Sequence, residues 1–158
     1  MGVDLSIFRN AAPYRSFGDA DWALLAEVFR TVDVPEGSLL FHEGDCGDGF
    51  YLVRSGHMRM RRMVAVEGDS EKKEQLLAVV DAGQLFGEMA LVGQVARSAD
   101  AMSEEGAKLY QLTGAEFERL KRDAPGTALK IQDLLVATLC GRLRAANKNF
   151  EVIKFWLS

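Results

Sequence analysis

The stretch richest in chemistry runs from residue 85 to residue 100, LFGEMALVGQVARSAD. Gly87 permits a sharp turn and a close approach of backbone to a ligand. Glu88, Met89, Ala90 and Leu91 then suit a single helical turn whose first amides have no internal acceptor, a natural seat for an anion. Ala90 is small, so a phosphate can rest directly over that backbone. Nine residues beyond Glu88 stands Arg97, whose guanidinium can grip phosphate oxygens through two parallel hydrogen bonds. Ser98 adds a hydroxyl beside it. Glu88 is oddly placed for an anion but suits a neighbouring sugar hydroxyl. One basic fork, one turn of amides and one acid together suit a phosphorylated ribose. The same residues also read as a surface Glu88–Arg97 ion pair in a loop, a common arrangement that contributes little.

These residues need elements to hold them. Over residues 19–29 Trp22, Leu24, Leu25, Val28 and Phe29 recur at helical spacing, with Asp19 or Asp21 available to cap the start. The texture then changes to short β-favouring runs broken by Gly and Asp, namely VDVPEGSLLFHEGD, GFYLVRSGHMRMRRM and QLLAVVDAG. Strands punctuated in this way predict an antiparallel sandwich or barrel, with the charged segment 66–74 as a solvated hairpin tip. Thr113 and Glu116 have capping-box spacing ahead of Phe117 and Leu120. From about Pro125 the pattern is helical for some six turns, with Leu135, Leu139, Leu143, Ala146 and Phe150 on one stripe. The expected organisation is one domain over 1–158, with helices in 1–31, a β-roll in 32–112 and helices in 113–158.

Composition narrows the function classes. The chain has 158 residues, 48% hydrophobic and 27% charged, and a net charge of −4. That is enough for one core without staples, and its acidity argues against a domain that grips nucleic acid by bulk charge. The basic run 54–62 reads as a strand face exposed to water. No apolar run reaches the ~18–20 residues of a spanning helix, and the start is not a secretory signal. Cys46 and Cys140 form no CxxC pair, as expected of reduced thiols in the cytoplasm. His42 and His57 are the only histidines. Without a third nitrogen ligand or a cysteine cluster, a metal site is not expected. A nucleophile elbow and a P-loop are also absent, so the expectation is a binding protein rather than an enzyme.

FGEMAL followed by Arg97-Ser98-Ala99 resembles the phosphate-binding cassette of the cyclic nucleotide-binding domain family, which includes the bacterial catabolite activator and the regulatory subunits of cyclic-AMP-dependent kinase. Upstream, EGDCGDGFYLVRSG at 43–56 is similar to the family's GDxxDxFYxVxxG turn-and-strand signature, and VPEGSLL at 34–40 resembles the strand before it. The likeness runs from about Trp22 to Phe150. It implies a mainly β fold with flanking α-helices, an antiparallel double-stranded β-helix (jelly roll) with N-terminal helices and a long C-terminal lid helix.

Carried onto this chain, the family pattern gives Arg97 the equatorial phosphate oxygens and Glu88 the ribose 2′-hydroxyl. Gly87 and the amides near Met89, Ala90 and Ser98 complete the cradle. Met60 and Leu77 fall where relatives line the base pocket, although both also read as ordinary core. Asn147, in the segment RLRAAN at 142–147, falls where the purine is met, or else on a solvated helix face. Asp100 departs from the family pattern and would weaken binding if it faced the phosphate. Phe155 and Trp156 lie past the expected lid and read as base stackers, packing groups or subunit contacts. The resemblance implies a stand-alone regulatory module with no required cofactor, whose ligand is cyclic AMP ahead of cyclic GMP. Its expected partners are an effector protein and, through the C-terminal helix, a second copy. No nucleic acid is expected, because residues 151–158 are too few for a helix-turn-helix, and no membrane span, for want of a long apolar run. The rival reading is a scaffold that keeps the fold without binding ligand.

Overall fold

The computed structural model describes residues 2–68, 70–91 and 95–157, with side chains described as far as residue 149. Its centre is eight strands: β1 (Arg30–Val34), β2 (Ser38–Phe41), β3 (Phe50–Ser55), β4 (His57–Val64), β5 (Lys73–Asp81), β6 (Leu85–Phe86), β7 (Asp100–Ser103) and β8 (Ala107–Leu112). They form two four-stranded sheets, ordered β1-β8-β3-β6 and β2-β7-β4-β5, with every pairing antiparallel. Apart from the β4–β5 hairpin, successive strands cross from one sheet to the other, which makes the jelly roll that the sequence resemblance implies.

Side-chain alternation assigns the two faces of the first sheet. On β3, Tyr51 and Val53 point into the roll beside Met58, Val80, Phe86 and Leu109. Phe50 and Leu52 point outward, where the helices cover them. Burial on both faces explains why FYLV is an unbroken apolar run. The covering helices are α1 (Ser6–Arg9), α2 (Asp19–Val28), α3 (Gly114–Asp123) and α4 (Pro125–Leu157). They supply Phe8, Trp22, Leu25, Phe117, Leu120, Ile131 and Leu135 to that outer core. Among the described residues no helix is long and apolar enough to cross a membrane.

Helix ends follow the sequence in part. The Asp21 carboxylate accepts from Gly18 N at 2.8 Å and so caps α2. Its other oxygen accepts from the Thr127 hydroxyl at 2.6 Å, and Lys130 Nζ lies 2.5 Å from the first, which pins α2 to the start of α4. Thr113 Oγ1 caps α3 by accepting from Glu116 N at 3.2 Å. The return half of the expected capping box does not form among the described contacts: Glu116 turns instead to Arg119, 3.3 Å away. Asp48, from the β2–β3 loop, accepts from Gly114 N at 3.0 Å. α4 is longer than the six turns expected, at 33 residues. The basic run on β4 is neutralised along the sheet, Arg59 by Glu74 and Glu104, Arg61 by Glu74, and Arg62 by Glu43.

Candidate ligand-binding site

A cavity of about 410 Å³ opens between the β-roll and α4. The chain after β6 enters it through Gly87, whose φ of +79° favours glycine. A Cβ on Gly87 would also lie 2.6 Å from Arg97 Nη1. A 3-10 turn, Glu88–Leu91, follows, with Ala90 N donating to Gly87 O at 3.3 Å. Gly87, Glu88, Met89, Ala90, Arg97 and Ser98 all line the cavity.

Arg97 is 6% exposed. Its Nη1 donates to the carbonyls of Gly87 at 2.9 Å and Gly49 at 3.2 Å. Its guanidinium carbon lies 4.3 Å from the centre of the Phe41 ring and 5.5 Å from that of Tyr51, a cation–π seat on two sides. The backbone is fixed too: Arg97 N donates to Asp45 O at 2.9 Å, and Gly44 N donates to Arg97 O at 2.8 Å. Burial pulls the guanidinium below its ordinary pKa, against the opposing influence of Tyr51, Asp48 and Glu88. An arginine stays charged under such a pull. Among the described residues no carboxylate lies within ion-pair distance of Arg97.

Glu88 is 2% exposed. One oxygen, Oε1, is paired with Arg142 of α4, whose other terminal nitrogen donates to Leu85 O. The second oxygen, Oε2, is buried without a hydrogen-bond partner. The surface Glu88–Arg97 pair is therefore corrected: both residues are buried, and the acid's partner comes from another element. A buried carboxylate oxygen left without a donor is costly. Glu88 itself is among the residues that line the cavity.

Met60 and Leu77 line the cavity together with Phe41, Val80 and Phe86, so one end of it is an apolar slot. From α4 the lining residues are Leu139, Arg142, Leu143 and Ala146. Asn147 is exposed and does not line the cavity. It shares a helix meridian with Leu129, Val136 and Cys140, about 80° round from Leu139 at 100° per residue. Arg142 is a cavity residue that the sequence reading does not single out, although its three-residue spacing from Leu139 and four-residue spacing to Ala146 put it on their face. Asp100 faces away: its Oδ1 accepts from Glu43 N at 2.8 Å, and His42 and Arg61 are each 3.8 Å off. Phe155 and Trp156 lie outside the described side chains. Among the described residues no group of three or more His, Cys, Asp or Glu is placed to hold a metal ion.

Known proteins share this fold. The chain is 36% identical over 149 residues to the cyclic AMP receptor protein of Thermus thermophilus, a match that covers 94% of this chain and 62% of the relative. It therefore spans about three fifths of that relative's length. A cAMP-dependent protein kinase regulatory subunit of Emericella nidulans is 32% identical over 98 residues, 62% of this chain and 22% of the subunit. The crystal structure of the Thermus thermophilus catabolite activator protein superposes with a TM-score of 0.73 at 31% identity, covering 90% of this chain and 63% of that one. The model of the cyclic nucleotide-binding domain matches residues 31–123. With a jelly roll, a glycine-led turn and a buried arginine in one cavity beneath a long helix, the chain belongs to the cyclic nucleotide-binding domain family.

Proposed function

We propose that this domain is a regulatory module that binds a 3′,5′-cyclic nucleotide, cyclic AMP ahead of cyclic GMP, and signals through α4. One observation carries the reading. Among the described residues, a buried guanidinium with no carboxylate partner and a buried carboxylate with one unpartnered oxygen line the same cavity. A cyclic phosphate on Arg97 and the turn 88–91 would meet the first need, and a ribose 2′-hydroxyl on Glu88 Oε2 the second. The base would lie in the apolar slot between Met60 and Leu77 on one side and Leu143 and Ala146 on the other. Adenine suits that slot better than guanine, which brings more polar edge to desolvate.

Glu88 links ligand to helix. Its Oε2 is free for the sugar while its Oε1 holds Arg142, so a bound nucleotide and α4 share one carboxylate. A ligand shifts the helix only by binding one of its positions more tightly. α4 would pass that shift to an effector and to a second copy of the chain. Leu129, Val136 and Leu143 follow at seven-residue intervals and are 57%, 58% and 62% exposed, the heptad spacing of a paired helix. In this reading residues 1–158 fold as one domain that acts in the cytoplasm, binds ligand rather than transforming it, needs no cofactor and makes no nucleic-acid contact of its own. The free thiols of Cys46 and Cys140 support the cytoplasm, and the neutralised arginines of β4 support the last point.

Thermal unfolding with cyclic AMP, cyclic GMP and noncyclic 5′-AMP tests the binding. At 100 times its Kd a ligand adds about 2.7 kcal/mol, a rise of roughly 5–10 °C for a domain of this size. Cyclic AMP should give the largest rise and 5′-AMP the smallest. No rise with either cyclic nucleotide would favour the scaffold.

A further inference from the structure

The β2–β3 loop, residues 42–49, does more than connect two strands. It holds Arg97 by its backbone, through Gly44 and Asp45, and by its head, through the Gly49 carbonyl. Gly47 sits between these anchors. Its neighbours Gly44 and Gly49 have φ of +88° and +94°, conformations that favour glycine. Gly47 is not in that region, so its backbone is open to any residue. What excludes a side chain there is space. A Cβ on Gly47 would lie 3.1 Å from both Cζ and Nε of Arg97. It would also lie far inside the ~3.5 Å at which carbon atoms rest, measured to the Ala90 methyl.

We propose that Gly47 is a positioning residue for the anion site: its missing side chain seats the Ala90 methyl against the loop and keeps the Arg97 guanidinium on its two carbonyls. The ligand identity used here rests on the cyclic-nucleotide reading above. A methyl at 47 has two ways to be relieved. Either the turn 88–91 withdraws and carries its leading backbone amides with it, or the guanidinium tilts off Gly49 and Gly87. Both separate the two groups that would hold one phosphate. Because the methyl of Ala90 fills the space a methyl on Gly47 would need, moving that methyl from one position to the other conserves volume, and volume-conserving changes are the best tolerated.

The test is a double-mutant cycle with 3′,5′-cyclic AMP, read by titration calorimetry on wild type, Gly47→Ala, Ala90→Gly and the double variant. A parallel readout is the Arg97 Nε–H resonance, which the rings of Phe41 and Tyr51 displace. Gly47→Ala should weaken binding about tenfold or more and move that resonance. In the Ala90→Gly background the same substitution should cost less than about threefold and leave the resonance in place. Equal costs in both backgrounds, or no cost and an unmoved resonance in Gly47→Ala, overturn the proposal. If Gly47→Ala does not fold, a double variant that folds and binds like Ala90→Gly supports it, and one that fails to fold overturns it. If the wild type binds no cyclic AMP, the functional reading fails by itself. The resonance then decides: moved by Gly47→Ala and restored in the double variant, or unmoved and the positioning role gone.

Discussion

On the strand side of the cavity the ligand-facing groups are tied at both ends, whereas on the helix side they hang from one. Arg97 is anchored by backbone, by two carbonyls and between two rings. α4 begins equally firmly, with Ala128, Ile131, Leu134 and Leu135 in the core and Thr127 and Lys130 on Asp21. From residue 136 to residue 149 its side chains open to solvent, and among the described residues the hydrogen-bonded contact that ties this stretch to the roll is Arg142 on Glu88 and Leu85. A site built this way can recognise with its rigid wall and respond with its loose one. Preorganised donors lose little entropy on binding, while a segment with few buried contacts sits at the low-stability end of the molecule.

The comparison breaks first at Arg97. Arg97→Ala should cost about 2–5 kcal/mol of cyclic nucleotide binding, the range for truncating a buried, hydrogen-bonded charge. Calorimetry that finds unchanged affinity would remove the anion site. Glu88→Ala should cost less, about 1.5–3 kcal/mol for a hydrogen bond to a charged group, and with a particular signature. Wild type should discriminate against 2′-deoxy cyclic AMP, and the variant should bind both nucleotides alike. Retained discrimination would take the ribose away from Glu88.

Arg142→Ala sharpens the contrast between the two ends of α4. Amide hydrogen exchange should accelerate over residues 139–147 and stay slow over 128–135. Uniform acceleration along the helix would mean that α4 is one rigid body and the contrast is false. The smallest effect belongs to the anchor itself. Burial alone would raise the Asp21 pKa, but hydrogen bonds from Lys130, Thr127 and Gly18 outweigh it and hold the carboxylate below its ordinary value. A depressed folded-state pKa stabilises the fold above the unfolded value of about 3.9 and is lost as pH falls through the folded one. Asp21→Asn should therefore lower the melting temperature at neutral pH, with a deficit that shrinks below about pH 4. A deficit that is the same at every pH would show that the carboxylate charge contributes nothing to the anchor.

Much of this was legible in the sequence, for physical reasons. The run FYLV identifies a strand because a two-sided core demands it, and the spacing from Gly87 to Ser98 brings turn and arginine together because both belong to one local segment. Contacts between distant segments were not legible. The partner of Glu88 lies 54 residues away on α4, so Arg97, the nearer cation in sequence, was the natural candidate for an ion pair. Glu116 has capping-box spacing, yet Arg119 one turn on and Arg30 from β1 compete for it, and Asp48 arrives from the β2–β3 loop to accept from Gly114 N. Asn147 has the right chemistry to read a base, but the helical turn of 100° per residue carries it past the cavity face. Gly47 lies among glycines that ease turns, and only the packing of Ala90 and Arg97 sets it apart.

In the proposed reading the reach of α4 would set the gain of any signal. About 22 residues separate Leu135, its last core residue among the described side chains, from Leu157, and at 1.5 Å per residue they make a rod of about 33 Å. Swung about that fulcrum by 10°, the far end travels about 6 Å, roughly one helical turn, while Arg142, a third of the way along, moves about 2 Å. Displacing one guanidinium from one carboxylate is then enough to shift a distant surface out of register with whatever lies against it.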